Sequence, residues 1–204
     1  MPTSTLSNVR AEPSSRNRMI AVAKRLFSGA GYENTTTVMI AREAHTSESQ
    51  LVKHFGSKEG LLEAIFEEGW SGLRTQMADV QAIISPRERL KAILRAVVQA
   101  FAADPELRNL MLLEGRRIRR EGKMIMLTAS YLEFVKVMDS LIESAQQSLT
   151  SEYPAQLVRS SLMGMFEGVL RDRVLQEKYG HSAGYEIHQA EKFVAEVVDR
   201  LFVA

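Results

Sequence analysis

An all-α fold of about nine helices is what this sequence predicts, on three observations. From Ser15 onward the apolar residues recur mostly three or four apart, and almost no stretch alternates as a strand does. Cap-plus-proline pairs, Ser85-Pro86 and Asp104-Pro105, punctuate the chain as helix starts. With 204 residues, 45% hydrophobic, there is enough chain to bury a sizeable core.

Residues 1 to 14 are polar, hold Pro2 and Pro13 and show no period, which reads as a mobile arm. Ile20, Ala23, Leu26 and Phe27 give a first helix one face, closed by Gly29 and Gly31. Thr35 or Thr36 is placed to cap a second helix through Ala44, and Ser47 to cap a third, with Gln50 positioned as in a capping box. Ser57 caps a longer fourth helix, expected to run to Ile84, with Leu61, Leu62, Ile65, Phe66, Leu73 and Met77 along it. Ser85 and Asp104 begin the fifth and sixth. A seventh is expected from Lys123 to Leu149, an eighth from about Pro154 and a ninth from Tyr185 to Phe202. No Gly/Ser linker interrupts the chain, so the expected division is an arm (1–14), a DNA-binding domain (15–64) and a ligand-binding and dimerisation domain (65–204), with the fourth helix shared.

The absence of cysteine excludes disulfide scaffolds, thiolate metal sites and thiol nucleophiles. No apolar run reaches the ~18 residues of a membrane helix, and the amino terminus lacks a secretory core, so the expected compartment is the cytoplasm, with no membrane partner. A net charge of +1 leaves DNA contact to local charge placement. Before Glu59 there are eight basic residues (Arg10, Arg16, Arg18, Lys24, Arg25, Arg42, Lys53, Lys58) against Glu12, Glu33, Glu43 and Glu48, a local excess of +4.

The second and third helices meet at a short turn around His45-Thr46, which is helix-turn-helix spacing. Ile40, Ala41, Ala44 and Leu51 would pack the pair, leaving Glu48, Ser49, Gln50 and Lys53 facing outward. Periodicity alone does not separate this from an ordinary helical hairpin in a bundle. Gly31-Tyr32, Thr35-Thr36, Ile40-Ala41, Ala44, Ser47, Leu51, His54-Phe55, Ser57-Lys58-Glu59 and Leu61-Leu62 resemble, in order and spacing, the TetR-type repressor family. The resemblance covers roughly Arg18 to Ile65 without a gap. It implies a homodimeric repressor that binds a double-stranded DNA operator through this domain, and a small-molecule inducer through the larger one.

Carried onto this chain, the family's base-reading positions are Thr37, Glu48, Ser49, Gln50 and Lys53, and its phosphate positions Thr35, Thr36, Val52, His54 and Lys58. Val52 stands where the family usually has a tyrosine, so that contact should be missing. His45 replaces the usual turn glycine, and a positive φ there would cost about 1–2 kcal/mol. Glu48 has two readings, acceptor from a cytosine amino group or a charge favoured by the helix dipole.

In the larger part, Phe101, Tyr131, Phe134, Met138 and Phe166 are the expected walls of an apolar pocket, with Met111, Met126, Met163 and Met165 as adaptable neighbours. Glu114, Glu133 and Glu167 would suit a cationic inducer. The run Arg116, Arg117, Arg119, Arg120 and Lys123 would suit an acyl-CoA or another anion, or contact with the DNA-binding domain, although such a run more commonly marks a solvated face. Ser160, Gly164 and Gly168 form a small-residue stripe that, with Val194, Val197 and Leu201, is expected at the dimer interface.

No cofactor or metal is expected; His181 and His188 have no further ligand close in sequence. Gly180-His181-Ser182-Ala183-Gly184 matches a hydrolase nucleophile motif, but a charged helical segment precedes it where a strand is needed. The expected function is a ligand-released transcriptional repressor and not an enzyme. Its alternatives are a helix-turn-helix protein controlled by a partner or by assembly and, remotely, a serine hydrolase using Ser182.

Overall fold

The computed structural model describes residues 14–147 and 153–202, with residues 76, 78 and 79 described by backbone alone. The arm expected at 1–14 lies outside these residues except for Ser14, and so does the expected helix end at Leu149. Among the described residues the fold is all-α, with nine α-helices and one two-stranded hairpin.

The first three helices are α1 (Ser15–Ala30), α2 (Thr37–Glu43) and α3 (Glu48–Phe55), followed by the longer α4 (Lys58–Gln76). Each begins where a hydroxyl accepts from an amide three residues on: Ser14 from Asn17, Thr36 from Met39, Ser47 from Gln50 and Ser57 from Gly60. Such caps contribute about 1 kcal/mol each. Met19, Ala23 and Phe27 of α1 share one buried cluster with Ile40 of α2 and Leu51 of α3. On α4, Leu61, Leu62, Ile65, Phe66, Trp70 and Leu73 are buried, and the helix packs against α1 and α3 as well as against the helices that follow. A single apolar cluster therefore runs from Met19 to Phe202.

Helix α5 (Pro86–Ala103) packs against both α7 (Ala129–Gln146) and α9 (Ile187–Leu201), and α6 (Pro105–Leu113) against α1. The Asp104 carboxylate both caps α6 and receives Lys24 Nζ of α1 at 2.6 Å, tying the first helix to the larger part. The longest helix, α8 (Ala155–Tyr179), buries Val158, Leu162, Phe166, Leu170 and Val174.

Two expected boundaries are corrected. Helix α4 stops at Gln76 instead of reaching Ile84, and a 3₁₀ turn (Ala78–Ala82) follows. Arg89 of α5 donates to the carbonyls of Ile83, at 2.6 and 3.0 Å, and Gln81, at 3.3 Å, satisfying groups that a continuing helix would have used. Helix α7 begins at Ala129, not Lys123, because Arg119–Arg120 (β1) and Lys123–Met124 (β2) form an antiparallel hairpin. Its two-residue turn places Glu121 at φ +52° and Gly122 at φ +80°, the pair of positive angles that suits a tight hairpin. Leu127 consequently lies before α7, whose cap is Thr128.

The start of α7 is held by α4: the Ser130 amide and hydroxyl both donate to the Glu67 carboxylate, at 3.0 and 2.6 Å. Burial opposes ionisation of Glu67, but the donors of Ser130 and Thr128 and the Arg74 charge outweigh it and hold the carboxyl below its usual range. A carboxyl depressed in the folded state stabilises fully above its ordinary value of 4.5, and that contribution is lost as pH falls through the lower, folded value. Glu67→Gln should cost about 1–2 kcal/mol at neutral pH. Urea unfolding at neutral and acid pH should also show a shallower acid loss in the variant than in wild type; equal loss in both contradicts this role.

Candidate nucleic-acid interface and apolar cavity

Helices α2 and α3 are joined by a turn in which His45 adopts φ +52°, the positive angle that its place in the motif requires. The turn is closed by the Thr46 amide on Ala41 O at 2.9 Å and held to α1 by Arg18 Nε on Ala44 O at 3.2 Å. Leu51 and Phe55 bury one face of α3, and Glu48, Ser49, Gln50, Val52, Lys53 and His54 are exposed on the rest. Several of these side chains are oriented by local bonds. Thr37 Oγ1 donates to Glu48, Ser49 Oγ lies 2.9 Å from Ser47 Oγ, and Gln50 Oε1 accepts from Thr46 Oγ1 at 2.9 Å. Gln50 therefore does not complete the reciprocal half of a capping box, and its amide nitrogen remains directed by that bond.

The phosphate positions divide. Thr36 and His54 are exposed. Thr35 is corrected: its side chain is fully buried and its hydroxyl donates to Gly31 O at 2.9 Å, so it shapes the α1–α2 loop and does not face DNA. Lys58 Nζ donates to Tyr32 O at 2.9 Å and Thr35 O at 3.1 Å and lies 4.1 Å from the Tyr32 ring centroid. Its first task is to bind that loop to α4, leaving one N–H beyond these two bonds. Burial and the Glu59 carboxylate, which accepts from the Tyr32 hydroxyl at 2.9 Å, push the Tyr32 phenol well above its ordinary value, so it stays protonated as a donor.

These residues, Met19 to Ile65, are matched by the family model for bacterial regulatory proteins of the tetR family. The matched residues, 19–65, are of the tetR type. The transcriptional regulator BetI of Rhizobium meliloti is 33% identical over 102 residues, half of each chain. That match spans half the length of the relative. The whole fold is similar to Bacillus subtilis FadR, solved with stearoyl-CoA, with TM-score 0.79 at 18% identity over 92% of this chain and 99% of that one. It is also similar to AibR, solved with isovaleryl coenzyme A and operator DNA, with TM-score 0.69 at 24% identity over 93% and 98%.

In the larger part of the chain, α4, α6, the segments flanking the hairpin, α7 and α8 line a cavity of about 280 Å³. Tyr131 and Phe166 line it, with Trp70, Met111, Met126 and Met163. Phe134 instead lines an adjoining cavity of about 320 Å³ that Trp70 also borders. Phe101 and Met138 are corrected to core: both are buried, and Phe101 backs the wall through ring contacts with Trp70 at 5.7 Å and Phe166 at 5.8 Å. Trp70 is the wall residue that sequence reasoning missed, and its place on the buried stripe of α4 one turn after Phe66 was the available signal. Its buried Nε1 has no acceptor among the described residues.

Ser160 and Gly164 border this cavity, and a Cβ at Gly164 or Gly168 would meet nothing within 4 Å. The stripe is thus unpacked within the single chain. Val194 is corrected: it is buried, as is Val198, where α9 packs on α5. Val197 is half-buried and Leu201 exposed, in line with Phe193, which is 57% exposed. Ser182 lies in the exposed loop after α8, accepting from the Gly184 amide, so the strand-to-helix strain of a nucleophile elbow is lacking. No described helix is long and apolar enough to cross a membrane.

Proposed function

We propose that this chain is a homodimeric transcriptional repressor that binds a palindromic operator and is released by a small molecule. The observation that carries the proposal is the placement of α4. One end of this continuous helix holds the α1–α2 loop through Lys58, and about 18 Å further along it, at 1.5 Å per residue, Trp70 walls the cavity. An occupant that displaces Trp70 displaces the helix on which α3 rests. The solved complexes of FadR with stearoyl-CoA and of AibR with isovaleryl coenzyme A and operator DNA support pairing these two functions on this fold.

On this reading residues 15–64 bind DNA, residues 65–204 bind ligand and dimerise, and the protein works beside the chromosome in the cytoplasm. The dimer forms through the open Gly164/Gly168 face of α8 and the Phe193/Val197/Leu201 face of α9, placing two copies of α3 in successive major grooves. Thr37, Glu48, Ser49, Gln50 and Lys53 read bases, with Thr37 and Glu48 acting as a bonded pair. Thr36, His54 and the remaining Lys58 donor meet phosphates.

Selection of bound duplexes from a random library tests the assignment. Wild type should recover a two-fold symmetric sequence, and Gln50→Ala or Lys53→Ala should relax preference at particular positions by about 1–3 kcal/mol per base contact. Equal weakening on every sequence would show that these side chains do not read bases.

A further inference from the structure

The α6–α7 segment, expected from sequence to be helical from Lys123 onward, is a hairpin, and three of its arginines point to three different places. Arg116 borders the cavity and pairs with Glu167 of α8 at 2.5 Å. Arg117 reaches Glu33 in the α1–α2 loop at 3.1 Å. Arg120 pairs with Glu63 of α4, and its guanidinium lies against the α3–α4 junction, where a Cβ on Gly60 would sit 3.0 Å from Nη1. Ile118 and Ile125 are buried, and a Cβ on Gly115 would come within 3.2 Å of Met126 Cβ and 3.4 Å of the Phe66 ring. The hairpin is therefore a compact body that touches the cavity through its flanking residues Arg116 and Met126, the α1–α2 loop through Arg117 and the first turns of α4 through Arg120.

The charges at the cavity select its occupant. Arg116, Arg159 and Glu167 line it, two guanidinium groups to one carboxylate. Arg159 is committed to Asp139 in a half-buried pair at 2.6 Å, whereas the Arg116–Glu167 pair leaves Arg116 60% exposed. Exposed pairs of this kind are worth less than about 1 kcal/mol, and a ligand carboxylate or phosphate can take a guanidinium by two parallel hydrogen bonds. Apart from Ser160 and Gly164, the remaining wall is Met, Leu and aromatic, suited to an unbranched apolar tail.

Resting on the ligand-responsive reading above, we propose that the effector is an apolar chain with one anionic head, and that it acts by taking Arg116 from Glu167 and moving the hairpin. That movement carries Arg117 away from Glu33 and Arg120 away from Glu63, releasing the two clasps that tie the hairpin to the α1–α2 loop and to α4.

The test uses three probes with one tail and different heads: dodecanoate, dodecyl phosphate and dodecyltrimethylammonium. The chain has one tryptophan, so Trp70 fluorescence reads binding, and mobility shift of the selected duplex reads release. Wild type should bind one or both anions and not the cation, with DNA affinity falling about tenfold, an ordinary size for coupling between sites; the better anion tells a carboxylate from a phosphate effector. Arg116→Gln should lose anion binding at least about tenfold, the loss of one charge-assisted bidentate contact. Arg120→Gln should bind the anion as wild type does while DNA affinity no longer responds, and Glu63→Gln, which alters the other end of the same clasp, should do likewise. Binding of the cation in preference, or anion binding unchanged in Arg116→Gln, overturns the effector class. A full DNA response in both clasp variants overturns the hairpin's role, with the broader function intact. If a wider compound library also leaves DNA affinity unchanged although the duplex is bound, the ligand-responsive reading fails with it.

Discussion

Gly60→Ala is expected to unfold the amino-terminal helices and abolish DNA binding. A Cβ at this position would stand 1.9 Å from the carbonyl oxygen of Phe55, a backbone atom that cannot swing aside as a side chain could. Helix α4 crosses the end of α3 so closely that only hydrogen fits, and the substitution should cost ~3 kcal/mol or more, the upper end of overpacking losses. Gly72 on the same helix is the control, because a Cβ there meets nothing within 4 Å and Gly72→Ala should stabilise by about 0.5–1 kcal/mol. Urea midpoints of the two variants measure both effects. A Gly60→Ala midpoint at or above wild type would mean that the two helices do not approach this closely.

The second large effect concerns Arg108, whose side chain is only 1% exposed although it carries a full charge. Glu177 of α8 is its partner and is itself 41% exposed, while Arg108 Nε has no acceptor among the described residues. Removing the acid strands a buried guanidinium, so Glu177→Ala should lose about 3 kcal/mol, the low end for breaking a buried pair because Glu177 is partly hydrated. Arg108→Met removes the costly charge, fills similar space and leaves Glu177 able to turn to water, so it should be close to neutral. Chemical denaturation of both variants decides this asymmetry, which is reversed if Arg108→Met proves the more damaging.

How far the sequence could be read depended on how local each signal was. The caps at Thr36, Ser47, Ser57, Ser85 and Asp104 act within one helical turn, and the structure has helices starting at all five. The hairpin was hidden because Ile118 and Ile125, seven apart, also satisfy a helical period, while Glu121-Gly122 is not one of the Asn-Gly or Asp-Gly pairs that signal a tight hairpin turn. The end of α4 was hidden for a similar reason, since the carbonyls beyond it are satisfied by Arg89 from the next helix. Spacing placed Tyr131, Phe134 and Met138 on related turns of α7, yet which neighbour each meets is a tertiary fact. Tyr131 faces one cavity, Phe134 another, and Met138 the core. Val194 illustrates the same limit: an apolar stripe on α9 fits a partner subunit or α5 equally well, and here α9 spends that face on α5.

The dissociation constant of the selected symmetric duplex, measured with and without a compound that raises the protein's melting temperature, tests the central claim most directly. Binding should weaken steeply with salt as phosphate contacts release counterions, and the compound should weaken it further, by about tenfold, at fixed salt. A chain that retains no duplex above its non-specific background, or whose affinity stays the same with every stabilising compound bound, would contradict the account.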